Sequence, residues 1–133
     1  MAGLPRGDRA DRNVLAILAV EGFYRPRPRR AVEYAGWLAL SAVGSRSVGR
    51  ITAGPAQVRL SHWRDLGMLE STRFSVRRFL RVRDLDTNYE VCRRYLQKRR
   101  VLAEGDVTVL TRAYAGAPRG DYATMLQQAL AAI

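Results

Sequence analysis

The sequence predicts a mainly α-helical domain with one irregular, glycine-rich insertion after its second helix. Three observations carry this. Apolar residues recur at helical spacing through most of the chain. The stretch from Gly44 to Leu60 mixes glycine, serine and β-branched residues instead, and its glycines together with Pro55 preclude a long helix. The Arg25-Pro-Arg-Pro28 and Gly116-Ala-Pro-Arg-Gly120 segments cut the helical pattern at two further points. No internal repeat is visible.

Taken in order, residues 1–12 are polar and rich in charge, which predicts a mobile lead-in and leaves 13–133 as a single domain. The first helix is expected from about Arg12 to Tyr24, with Asp11 or Asn13 as its cap. A second begins near Arg29 and runs to Val43. Glu33 is its only charge between Ala31 and Ser45, so this helix is expected at the centre of the core. Gly44 to Leu60 then reads as turns with room for short strands. Ser61 is placed to cap a short helix to about Leu66. The segment Ser71–Arg83 is strongly basic, with Phe74, Val76, Phe79, Leu80 and Val82 interspersed, and reads as helical. Asp86 or Thr87 can cap a helix from Asn88 to about Arg100 that puts Tyr89, Cys92 and Leu96 on one face. Another helix follows Gly105 and Asp106 to Ala115. The last repeats Tyr122, Met125, Leu126, Ala129, Leu130 and Ile133 at helical spacing.

At 133 residues the chain is long enough to bury roughly two thirds of its unfolded surface without disulfides or metal. Its formal net charge of +11 predicts an anionic partner: nucleic acid, lipid headgroups or acidic wall polymers all satisfy it. One cysteine, Cys92, excludes an internal disulfide and a multi-cysteine metal site. With His62 the only histidine and no nucleophile motif around any serine, His62 is expected to pack or to begin a helix. No cofactor is implied. The N-terminus imitates a signal peptide poorly, because Asp8 and Asp11 interrupt its basic region and Glu-Gly-Phe-Tyr follows the apolar run. No other segment approaches the ~20 apolar residues of a membrane span.

The strongest chemical signal is Glu21. It lies at i+7 from Val14 on the stripe that also carries Ile17 and Leu18, where a hydrophobe belongs. Burial disfavours the charged form of a carboxylate, and the negative pole of the helix end pushes the same way. Two roles fit this position: a proton donor near neutral pH, or a rim residue paired with Arg25. Glu33 is the rival acid. It is either a second carboxylate for the same chemistry or the partner of Arg29 and Arg30, which precede it at helical spacing.

Three patches stand in a telling order: Ala19-Val-Glu-Gly-Phe23, Ala53-Gly-Pro-Ala-Gln-Val58 and Arg112-Ala-Tyr-Ala-Gly116. Together they resemble the lysozyme-like domain of the lytic transglycosylases. That family has a helix ending in a catalytic Glu, a Gly-Leu-Met-Gln turn, an Asn near the start of a later helix, and an Ala-Tyr-Asn-x-Gly segment. The counterparts are Glu21, the turn Gly54 to Gln57, Asn88 and Tyr114, across about residues 13–130. Gly22 stands where the family has Ser, Pro55-Ala56 where it has Leu-Met, and Ala115 where it has Asn. The resemblance implies a lysozyme-like α+β fold and cleavage of peptidoglycan by one acid/base, Glu21, forming 1,6-anhydro-N-acetylmuramic acid ends. It places Gly54, Gln57, Asn88 and Tyr114 in the glycan site. Tyr24 and Trp37 are further stacking surfaces, Trp37 also reading as core, and Tyr114 fits either the cleft or the core. A periplasmic or wall-facing setting follows from that chemistry.

Two alternatives belong to other classes. A basic helical domain binding nucleic acid would use Arg73, Arg77, Arg78, Arg81 and Arg83 to track phosphates. A degenerate lysozyme-like domain would bind glycan or a partner protein without cleaving.

Overall fold

The structure, a computed structural model, describes residues 5–24, 27–115 and 122–132, with side chains at 9–21, 30–114 and 122–132. Among them it is mainly helical, with one small antiparallel sheet. Two long helices, α1 (Pro5–Tyr24) and α2 (Arg27–Ala42), are followed by a 3-10 segment (Arg46–Arg50) and a hairpin of β1 (Thr52–Ala53) and β2 (Val58–Arg59). Then come α3 (Leu60–Asp65), α4 (Val76–Arg83), α5 (Leu85–Lys98), α6 (Val107–Ala115) and α7 (Tyr122–Ala132).

Helix α1 begins at Pro5, well before the expected start near Arg12. The side chains that read as caps do other work. Asn13 is buried and its Nδ2 donates to the carbonyls of Leu102 (2.9 Å) and Glu104 (2.8 Å). Asp11 accepts from the Tyr89 hydroxyl, and Arg12 donates to the Leu130 carbonyl at 2.8 Å. The lead-in is therefore helical from Pro5 and tied to the domain from Asp11. Residues 1–4 and the linker 116–120 lie outside the described residues.

The core forms where α1 packs against α5 and α7. Val14, Ile17 and Leu18 are buried as the stripe requires, against a core that includes Val91, Cys92, Leu96, Tyr122 and Leu126. Helix α2 departs from expectation. Between residues 30 and 42 only Trp37 and Ser41 are buried, while Val32 and Leu38 stand exposed. All-round apolarity shows what surroundings a helix tolerates, not how many layers cover it. Helix α2 packs on the 3-10 segment and β1, and through Tyr34 and Trp37 on Phe79 of α4 and on Phe74; the fully buried Trp37 donates its Nε1 to the Thr72 carbonyl at 2.7 Å.

The hairpin pairs Thr52 with Arg59 and Ala53 with Val58. Its turn needs glycine at Gly54: φ is +75°, and a Cβ would lie 2.1 Å from the Val82 carbonyl oxygen and 2.5 Å from Asn88 Oδ1. The caps of later helices are also not those expected. Ser75 caps α4 by accepting from the Arg78 N–H at 3.1 Å, and Asp84 caps α5 by accepting from the Thr87 N–H at 2.8 Å. Because Asp84 takes this role, α5 starts at Leu85, ahead of Asn88. Helix α3 starts at Leu60 with no side-chain cap from Arg59, so Ser61 lies within its first turn.

Candidate active site

Glu21 occupies the last turn of α1 and is only 7 % exposed. Its Oε1 accepts a hydrogen bond from the Tyr122 hydroxyl at 3.1 Å, a contact across 101 positions of sequence. Tyr122 is the first residue of α7 and is itself buried, so the side chain that reads as one more member of an apolar stripe aims its polar end at the acid. The Arg25 pairing open to Glu21 on sequence grounds lies outside the described residues.

Two more groups complete the cluster. Cys92 of α5 and Tyr114 of α6 touch through their side chains, and both lie near enough to Glu21 to sense its carboxylate when it is ionised. Burial pushes the Cys92 thiol up to about 12. It also raises the Tyr114 phenol well above its ordinary value, with Cys92, Glu21 and Tyr122 adding in the same direction. Tyr114 therefore stays a neutral donor at physiological pH. Its hydroxyl donates to the Ala56 carbonyl, which fastens α6 to the hairpin turn one residue before Gln57. Part of the Tyr114 side chain remains open to solvent while its hydroxyl is buried.

Gln57 closes the turn in a left-handed conformation, with φ +54°. Its Nε2 donates to the Gly54 carbonyl at 2.9 Å, and its Oε1 accepts from the Thr52 hydroxyl at 2.9 Å. Thr52 also contacts Glu33 Oε2. A short polar chain thus runs from Glu33 on α2 through Thr52 on β1 to Gln57. Glu33 is not paired with Arg30: its Oε1 is buried without a hydrogen-bond partner, and so is Arg30 Nε. The helix salt bridge with Arg30 open on sequence grounds does not form; the Arg29 side chain lies outside the described residues. Beside this chain lies a groove of ≈ 590 Å³ lined by Arg30, Tyr34, Pro55, Phe79 and Arg83, among others.

Asn88, expected to face a ligand, is 0 % exposed. Its Nδ2 donates to the Val82 and Asp84 carbonyls, each at 2.7 Å, and its Oδ1 accepts from the Ala56 N–H at 3.0 Å. It locks the hairpin turn onto the α4–α5 junction, with both amide hydrogens spent on backbone carbonyls and no surface open to a sugar. Gly54 is likewise a packing requirement of that junction. Trp37 is core, edge-on to Phe74, with ring centroids 5.1 Å apart. The Tyr24 side chain lies outside the described residues. The sequence-predicted set thus divides. Tyr114 touches the Glu21 cluster and reaches the Gln57 turn, Asn88 and Gly54 support that turn from behind, and Trp37 stands apart.

His62 packs on Tyr95 with centroids 5.4 Å apart, and burial followed by Arg59 lowers its pKa. Among the described residues no group of three or more His, Cys, Asp or Glu is placed to hold a metal ion, and no helix is long and apolar enough to cross a membrane. Of the arginines proposed to track phosphates, Arg78 is engaged by Glu70 at 2.7 Å, Arg81 donates to the Met68 carbonyl at 2.8 Å, and Arg83 lies over the Phe79 ring. Phe74 packs edge-on to Trp37 and Phe79 edge-on to Tyr34, while Arg73 and Arg77 stand exposed. Comparison of the chain with protein-family models, curated proteins and solved structures finds no match.

Proposed function

We propose that this domain is a lysozyme-like lytic transglycosylase that cleaves peptidoglycan glycan strands with Glu21 as its single acid/base. The observation that carries the reading is the buried Glu21 carboxyl held by Tyr122, in one cluster with a tyrosine bonded to the turn that bears Gln57. A carboxyl shielded from water is the environment in which the acid form persists, and glycoside cleavage begins with that form. Tyr122 donates to Oε1 and so fixes the orientation of the carboxyl.

The step needs no water and no second carboxylate. Glu21 gives its proton to the glycosidic oxygen as the bond from C1 of N-acetylmuramic acid breaks. The carboxylate then takes the proton of the C6 hydroxyl as that oxygen closes on C1, leaving a 1,6-anhydro end and restoring the acid. Tyr122 holds the carboxyl and Tyr114 the turn through both half-steps. The test is release of anhydromuropeptides from purified peptidoglycan by the parent chain, abolished in Glu21→Gln.

One observation favours a second assignment within the same chemistry. Glu33 has a buried oxygen without a partner and contacts Thr52, which bonds Gln57. Under that assignment Glu33→Gln, not Glu21→Gln, removes the activity.

A further inference from the structure

The least explained surface of the molecule is the outer face of α2. Between residues 31 and 43 every exposed position is Val, Leu or Ala: Val32 is 71 % exposed, Leu38 53 % and Val43 77 %, with only alanines between them. Isolated exposed hydrophobes are ordinary. A helix whose whole solvent arc is apolar is not, and such patches mark places where water is displaced by a partner.

The charges around this arc indicate the partner. From residue 29 to residue 59 the chain carries five arginines and one acid, Glu33. Glu33 is turned toward the hairpin, where it contacts Thr52. Arg30 stands at the start of the helix, and Arg46 and Arg50 lie exposed just past its end. The apolar strip is therefore bracketed by cations at both ends, and the chain as a whole carries +11. A second copy of the same chain would bring like charge against like charge. Nucleic acid would gain nothing from valine and leucine. An anionic bilayer satisfies both parts, because side chains such as Val32 and Leu38 enter the headgroup boundary while arginines stay at the phosphates. The helix has 16 residues, short of the ~20 that a span requires, so it would lie on the surface.

We infer that α2 is an interfacial helix that docks the domain onto anionic lipid surfaces through Val32, Leu38 and Val43, with Arg46 and Arg50 at the headgroups. This is independent of which acid cleaves, or whether any does. Docking puts the side of α2 that faces the hairpin away from the lipid, which leaves the Glu33–Thr52–Gln57 chain undisturbed.

The experiment is co-sedimentation of the full chain with vesicles of phosphatidylcholine alone and of phosphatidylcholine with an equal part of phosphatidylglycerol. Binding is expected to the second and not the first, and to weaken with salt. The double variant Val32→Asp/Leu38→Asp alters exposed positions only, so it is expected to keep the parent's circular dichroism and melting temperature. Its partitioning should fall by about tenfold or more. Arg46→Glu/Arg50→Glu should lose binding while keeping its fold. Three results would overturn the inference: equal binding of parent and Val32→Asp/Leu38→Asp, no binding to anionic vesicles, or a concentration-dependent dimer that disappears in the aspartate variant. The last would assign the face to a second copy.

Discussion

Replacing Asn88 by alanine separates a structural role from a ligand-binding one. Asn88 makes three side-chain hydrogen bonds to backbone and is fully buried. Alanine removes all three partners at once. The Asp84 carbonyl keeps the Asn88 N–H at 3.0 Å, so its loss is small. The Ala56 N–H and the Val82 carbonyl keep no other partner identified in the structure and sit where water does not reach Asn88. Leaving a buried backbone group unsatisfied costs about 1–3 kcal/mol, so the two together predict about 2–6 kcal/mol, centred near 4. For a chain of this size, 1 kcal/mol moves the melting temperature by about 3–5 °C, which predicts a fall of about 12–20 °C. Urea unfolding followed by circular dichroism measures it, with the midpoint shifted and the slope unchanged. A loss below about 1 kcal/mol, with glycan binding abolished, would mean that Asn88 serves a ligand and not the turn.

Four further outcomes follow from the same contacts. Gly54→Ala drives a Cβ into the Val82 carbonyl and forces a non-glycine residue to φ +75°, so it should destabilise more than Asn88→Ala, as seen in soluble yield and melting temperature. Cys92 should resist a thiol reagent at mildly alkaline pH in the folded chain and react once denaturant is added, since its thiol is fully buried and pushed up to about 12. Cys92, Tyr89 (also about 12) and Tyr114 hold their protons to higher pH when folded than when unfolded. The unfolded chain therefore ionises first, and the urea midpoint should fall as pH rises from about 9 toward 12, less steeply in Cys92→Ala. Tyr122→Phe should keep the fold and lower the rate of glycan cleavage by about tenfold to a hundredfold, because Glu21 loses the hydroxyl that orients its carboxyl.

Much of this architecture is legible in the sequence, and for identifiable reasons. The Val14–Ile17–Leu18–Glu21 stripe is a local pattern, and local patterns survive into three dimensions; all four residues are buried. Glycine and proline punctuation locates the hairpin. What failed depended on distant partners. Nothing near Tyr122 announces a carboxylate 101 residues away, although an unexplained tyrosine at the head of an apolar stripe is a signal worth following. Asn88 reads as a site residue because the amide that binds a sugar is the amide that satisfies three backbone groups. Helix α2 reads as a core helix because its composition resembles one, whereas the chain covers it on one side.

The most direct measurement is a side-by-side digestion of purified peptidoglycan by the parent, Glu21→Gln and Glu33→Gln, with the mass of each released muropeptide recorded. Acid/base cleavage by Glu21 predicts 1,6-anhydro ends from the parent and from Glu33→Gln, and none from Glu21→Gln. Product surviving in Glu21→Gln, or ends heavier by one water, would contradict it.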